Sequence, residues 1–177
     1  MKIGDYSIRP IEERDLELLL NWRNSERIHS LMLTDHKITW EEHYQWFKKI
    51  SEYEPKRNFV FEYKNKPIGY IGYTDYDEIN KTCSPGAYLG DVGRDIPIDA
   101  ALYLFYMAVE YAFKVLKRET LITTVFKNNK RALKIDKILG YEIIAEGKVT
   151  KNSILTDIYI LKMSKEIWHK NKLNFNI

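Results

Sequence analysis

Apolar and polar positions along the chain change period several times, and each change marks an element. Tyr6 to Arg9 alternates in strand fashion and stops at Pro10, whose ring nitrogen cannot donate to a ladder. From Asp15 the apolar residues Leu16, Leu19, Leu20 and Trp22 recur at helical spacing. After Asn24 and Ser25 a second short helix carries Ile28, Leu31 and Met32, ahead of a polar loop through Asp35 and His36. Thr39 followed by Glu42 reads as a capping box, opening an aromatic-rich helix with Trp40, His43, Tyr44, Trp46, Phe47 and Ile50 that ends near Tyr53.

The middle of the chain reads as strands. Phe59 to Tyr63 and Ile68 to Tyr73 flank an Asn65-Lys66 turn, and Cys83 to Leu89 runs into Gly90, Gly93 and Pro97. From Pro97 the period lengthens, with Ile98, Ala101, Leu102, Phe105, Ala108, Val109, Ala112 and Phe113 on one broad helical face. Leu121 to Val125 is then a buried strand, Asn129 to Leu139 a helix stopped by Gly140, and Tyr141 to Ala145 with Ile154 to Lys162 a final strand pair. That order predicts an α+β, or mixed α/β, layer arrangement.

Composition narrows this picture without redirecting it. A chain of 177 residues, 45% hydrophobic and 30% charged, predicts one soluble domain spanning 1–177. Its net charge of +3 comes from scattered basic residues, which argues against duplex nucleic acid and leaves room for a small anionic ligand. Cys83, the only cysteine, rules out an intrachain disulfide and a cysteine-based metal cluster, so no metal and a reducing cytoplasm are expected. Met1 to Pro10 lacks the apolar core of a signal peptide. Ala100 to Phe113 is shorter than the ~20 residues of a membrane span and contains Glu110, so it reads as a core helix.

Chemistry concentrates in two places. The strand ending at Gly90, the turn through Gly93 and the helix near Pro97 form either an anion site of unpaired amides or simply a turn. Further on, the run NNKRALKIDKILGYE places Asn129, Ala132, Leu133, Leu139, Gly140 and Tyr141 in one pattern. Taken separately, Asn129 is a helix cap and Leu-Gly-Tyr a helix stop. Together they resemble the second coenzyme A-binding motif of the GNAT N-acetyltransferases, and the order of elements matches that fold from first strand to last.

The resemblance implies a central, mostly antiparallel sheet of about seven strands flanked by helices. Its fourth and fifth strands would splay apart, with pantetheine pairing along the strand of Tyr88 and Leu89. Acetyl-CoA would be the co-substrate, held by Leu89, Gly90, Gly93, Arg94, Asp95, Ile96, Ile98, Asn129 and Ala132. Two departures stand out. The usual glycine-rich first motif is replaced by GDVGRDIPIDA, and Asp136 stands where many members carry a tyrosine that protonates the departing thiolate. A carboxyl group with an ordinary pKa of ~3.9 could take that role only if burial raised it strongly.

The stretch WRNSERIHSLML followed by TWEEHYQWF is similar to the amino-sugar acetyltransferases of pseudaminic acid biosynthesis, which act on UDP-4-amino-4,6-dideoxy-N-acetyl-β-L-altrosamine. The similarity implies a sugar-nucleotide pocket from Arg23, Asn24, Met32, Trp46 and Tyr88, and makes Tyr88 and Asp136 the candidate catalytic residues. Trp40 and Tyr44 add to its aromatic character. Local readings run beside these: Met32 and Trp46 as core, Arg23 and Asn24 as helix-end residues, Tyr88 as an ordinary strand residue, His43 as structural. The rival functions are a protein N-terminal acetyltransferase and a non-catalytic coenzyme A-binding module. A homodimer through aromatic residues exposed on the final strands is compatible with the pattern.

Overall fold

A computed structural model describes residues 1–53, 56–90, 93 and 96–175. Arg94 and Asp95, expected near the cofactor, lie outside the described residues. The first half contains β1 (Lys2–Ile3), β2 (Tyr6–Pro10), α1 (Leu16–Asn24), α2 (Glu26–His29), α3 (Trp40–Tyr53), β3 (Asn58–Tyr63), β4 (Lys66–Asp77) and β5 (Thr82–Leu89). The second half contains α4 (Ala100–Lys114), β6 (Thr120–Phe126), α5 (Lys130–Leu139), β7 (Glu142–Lys151), β8 (Ile154–Ser164) and α6 (Lys165–Asn171). The fold is mixed α/β, with an eight-stranded, mostly antiparallel sheet in the order β1-β2-β3-β4-β5-β6-β8-β7.

The strand beyond the expected seven is β1, whose two residues pair with β2 at Lys2–Ser7 and Ile3–Tyr6. Two residues are too few for any alternation to be read. The short α6 has a similar origin: Ser164 ends β8 and caps the helix by accepting a hydrogen bond from the Ile167 amide at 3.2 Å.

The chain forms two compact units, Met1–Gly72 with Ala87–Leu104 and Tyr73–Gly86 with Phe105–Ile177. In the first, β2 and β3 pair antiparallel and β3 pairs with the start of β4. Leu16, Leu19 and Trp22 recur at helical spacing on α1 and are all buried. Leu19 and Trp22 meet Ile28 and Val60 in one cluster, with Ile11, Met32, Tyr70 and Tyr88 packed against it. Each such buried side chain contributes roughly 2 kcal/mol. Arg9 ties α1 to the sheet, bonding both Asp15 oxygens at 2.6 and 2.8 Å and Glu62 at 2.8 Å. The α3 capping box is formed: the Thr39 amide donates to Glu42 at 2.7 Å, and the Glu42 amide donates to Thr39 Oγ1 at 3.2 Å.

Ile98 departs from the expected helical face. Helix α4 starts at Ala100, whose amide bonds the Pro97 carbonyl at 3.0 Å, and Ile98 projects from that turn fully exposed. Asp99 helps fix the start, its carboxylate accepting the Tyr6 hydroxyl at 2.6 Å while its carbonyl takes the Tyr103 amide at 3.1 Å.

In the second unit β6 and β8, and β8 and β7, pair antiparallel. β5 meets β6 in parallel at Thr82–Thr120 and Cys83–Leu121, and no further ladder pair joins them among the described residues of this unit. Trp168 of α6 is wholly buried and donates its indole N–H to Glu110 at 2.7 Å. No helix among the described residues is long and apolar enough to cross a membrane.

Candidate active site

Helix α1 positions the site in the first unit by burying Trp22. A Cβ at Gly90 would meet the Trp22 ring at 2.2 Å, so glycine lets the end of β5 lie directly on the indole. The Gly90 amide donates to the Ile68 carbonyl at 2.8 Å, and Arg27 closes the strand end by donating to the Leu89 and Gly90 carbonyls at 3.0 and 2.8 Å. Gly69 serves the same approach, since a Cβ there would stand 2.7 Å from the Tyr88 carbonyl oxygen. Tyr88 and Leu89 are thereby held in a rigid frame.

Beside this frame lies a half-buried aromatic group. Tyr88 stacks on Tyr70 with centroids 5.1 Å apart, Tyr70 meets Trp46 at 6.3 Å, and Trp46 stacks on His43 at 5.0 Å. The Tyr70 hydroxyl donates to Asn58 Oδ1 at 2.7 Å, and Gly72 makes room for it, since a Cβ there would lie within 2.1 Å of that oxygen. Tyr70 had no distinguishing mark in sequence reasoning. Its one signal is the spacing GYIG, a strand tyrosine between two glycines.

Arg23 of α1 belongs to the same group. Burial pushes its guanidinium below its usual range, the rings of Tyr88 and Tyr70 being its electrostatic neighbours, and its Nη1 is buried without a hydrogen-bond partner among the described residues. Burial raises the Tyr88 hydroxyl, and Arg23 works against that rise. A buried guanidinium nitrogen without a hydrogen-bond partner is costly unless a ligand completes it.

Met32 lies half-buried against the same core. Asn24 plays a different part: its amide donates to the Ile38 carbonyl at 2.7 Å and accepts from the Ile38 amide at 2.8 Å, so it braces the loop leading into α3. Trp40 and Tyr44 stack on each other at 6.3 Å, with Trp40 half exposed, and no ring contact joins them to the Trp46 group among the described residues. His43 is buried, bonds the Leu16 backbone and is pushed below its usual range by burial, with Nε2 unpartnered among the described residues. Gly93 has a φ of 77°, and a Cβ there would meet nothing within 4 Å. Backbone at such a position can approach a ligand closely. Ile96 is half-buried ahead of the turn that carries Ile98.

In the second unit, Asn129 caps α5 by accepting the Ala132 amide at 3.2 Å, and Gly140 ends the helix in the left-handed region with a φ of 106°. Asp136 lies between them on the inward face, only 2% exposed, with Oδ2 unpartnered among the described residues. Burial pushes its carboxyl up to about 7. Tyr141 is near enough for the Asp136 charge to raise it further, after burial, and Cys83 acts on Tyr141 in the same sense. No group of three or more metal-ligating side chains occurs among the described residues.

Residues 6–142 match the family described as Acetyltransferase (GNAT) domain. Acetyltransferase PseH of Campylobacter jejuni subsp. jejuni, serotype O:23/36, is 31% identical over 142 residues, covering 78% of this chain and 83% of that protein. Its serotype O:2 counterpart is 30% identical over the same length. Among solved structures, spermidine N-acetyltransferase from Vibrio cholerae, in complex with CoA and spermine, superposes with a TM-score of 0.85 over 94% of this chain and 99% of that one. At 18% identity it is a match of fold.

Proposed function

The chain belongs to the GNAT acetyltransferase family, and from that premise we propose that it transfers the acetyl group of acetyl-CoA to the 4-amino group of a UDP-linked 4-amino-4,6-dideoxy sugar. The observation that carries this reading is the buried, unpaired Nη1 of Arg23 beside the aromatic wall of Trp46, Tyr70 and Tyr88. A dideoxy sugar presents an unusually apolar face to such a wall, while the nucleotide's oxygens answer the guanidinium. The PseH relatives, themselves acetyltransferases, support the acetyl-transfer part of this reading.

Tyr88, Tyr70, Trp46 and Met32 shape the acceptor pocket, Arg23 pairs with the nucleotide, and Asn24 holds the Ile38 loop that flanks it. The guanidinium of Arg23 also opposes a second positive charge nearby, which favours the neutral, nucleophilic form of the amine. The amide of Leu89, on the braced end of β5, donates to the thioester oxygen as negative charge develops. Acetyl-CoA supplies the acyl group as a thioester. Gly93, Ile96 and Ile98 contribute backbone amides to its phosphate cradle. Asp136, protonated in part near neutrality, supplies the proton to the departing thiolate.

Thiol release from acetyl-CoA measures the reaction directly, with UDP-4-amino sugars and N-terminal peptides as competing acceptors. Release with the sugar nucleotides alone is the expected result. Release with peptides only would replace this reading with a protein acetyltransferase, and coenzyme A binding without turnover on any acceptor would make the chain a binding module.

A further inference from the structure

Asp99 is the N-cap of α4: its carbonyl accepts the first helical bond, from the Tyr103 amide at 3.1 Å, and Ala100 begins the helix. An aspartate at that position ordinarily turns its carboxylate onto the amides two or three residues on, here Ala101 and Leu102. The capping side chains of Asn129 and Ser164 follow that rule on α5 and α6, each accepting an amide at 3.2 Å. The Asp99 carboxylate departs from it. Its Oδ1 takes the hydroxyl of Tyr6 at 2.6 Å, from 93 residues away in the chain, and no α4 amide bonds it among the described residues.

Tyr6 is well placed to hold that carboxylate. It lies on β2, only 4% exposed, with its ring stacked on Phe61 at 5.4 Å and on Tyr103 at 4.3 Å. Ring and hydroxyl therefore grip the two residues joined by the first helical bond of α4. Burial and the bond to Asp99 raise the hydroxyl well above its usual range, so it stays a donor through neutral and mildly alkaline solution.

We propose that Tyr6 is a positioning residue for acetyl-CoA, holding the Asp99 carboxylate off the start of α4 so that the cofactor's phosphates meet amides rather than a competing anion. The proposal rests on the placement of those phosphates at the turn of Gly93, Ile96 and Ile98, and Tyr6 acts on them only through Asp99. An uncapped first turn keeps its donors and the positive end of the helix dipole available to phosphate. Without the Tyr6 hydroxyl, Asp99 falls back on ordinary N-cap geometry. Its carboxylate then occupies the Ala101 and Leu102 amides and sets a negative charge beside the phosphates.

Calorimetric binding of coenzyme A and of pantetheine, which lacks the phosphates, tests this on the full chain. The wild-type chain is expected to bind coenzyme A at least about tenfold more tightly than pantetheine. Tyr6→Phe, which keeps the ring stack, should weaken coenzyme A about fivefold or more and leave pantetheine within about twofold. Adding Asp99→Ala to Tyr6→Phe should bring coenzyme A back to within about twofold of wild type, because no carboxylate remains to fold onto the amides. Asp99→Asn in the same background, a cap without the charge, should fall between. Thermal melts of Tyr6→Phe should stay near wild type, since the new cap offsets the lost bond. Equal wild-type affinity for the two ligands would overturn the phosphate placement itself, and this proposal with it. With that preference intact, unchanged coenzyme A binding in Tyr6→Phe, a loss shared by both ligands, or no rescue by either change at Asp99 would overturn the role of Tyr6 alone.

Discussion

Tyr88 stacks on Tyr70 with 5.1 Å between centroids and 27° between planes, and Tyr70 is itself moored by its hydroxyl to Asn58 at 2.7 Å. The residue facing the proposed acceptor is thus held by one that sequence reasoning passed over.

Removing that support should act on the acceptor side of the reaction. An aromatic pair is worth about 1 kcal/mol, or roughly fivefold in affinity. Tyr70→Ala is expected to raise the acceptor KM by about that factor or more while leaving the acetyl-CoA KM within about twofold. Tyr70→Phe keeps the stack, loses the mooring and should fall between. Steady-state kinetics with each substrate varied in turn separates these, and equal loss on both sides would count against the pocket.

Arg23→Met should divide stability from function. Replacing a half-buried guanidinium whose Nη1 has no partner among the described residues with an apolar side chain is expected to leave stability unchanged or raise it by about 1 kcal/mol. Acceptor affinity should fall at least about tenfold. A thermal melt and acceptor binding by calorimetry give both numbers. A lower melting temperature with unaltered binding would mark Arg23 as purely structural.

Asp136 implies a pH dependence with a definite sign. Its carboxyl is raised from 3.8 to about 7 in the folded chain. Below about pH 4 both states are protonated; between there and about 7 the unfolded chain has lost a proton that the folded chain keeps, so stability falls as pH rises. The full effect is bounded at roughly 4 kcal/mol and is complete above the folded pKa. Asp136→Asn removes it, so the variant should gain melting temperature relative to wild type across pH 4 to 7 and hold that gain at pH 8. It should also lower kcat by about a hundredfold. A gain in stability with unchanged kcat would remove Asp136 from the chemistry.

Gly90→Ala tests the frame itself. The added methyl would stand 2.2 Å from a buried indole that cannot retreat without disturbing Leu19, Ile28 and Val60. A loss of about 2 kcal/mol is expected from such overpacking, read as a lower denaturation midpoint in urea. An unchanged midpoint would mean that Trp22 moves freely.

Features carried by neighbouring residues were legible before any coordinates. The Thr39–Glu42 capping box, the Asn129 cap and the Gly140 stop each depend on bonds spanning a few residues, and each is present in the structure. The family motif was legible for the same reason. Asn24 was picked out, yet both ends of its amide go to Ile38, 14 residues away, a pairing no local spacing could announce.

Ile98 fitted the helical period but stands outside the helix, because the turn at Pro97 and Asp99 starts α4 two residues later. Local propensity and periodicity therefore determined the order of elements, their caps and the family motif. Tertiary structure alone decided that Tyr70 backs Tyr88, that Nη1 of Arg23 is buried without a partner among the described residues, and that burial raises the Asp136 carboxyl to about 7. The reason is physical: strand pairing and desolvation depend on what distant parts of the chain bring alongside, and neither is encoded in the spacing of neighbours.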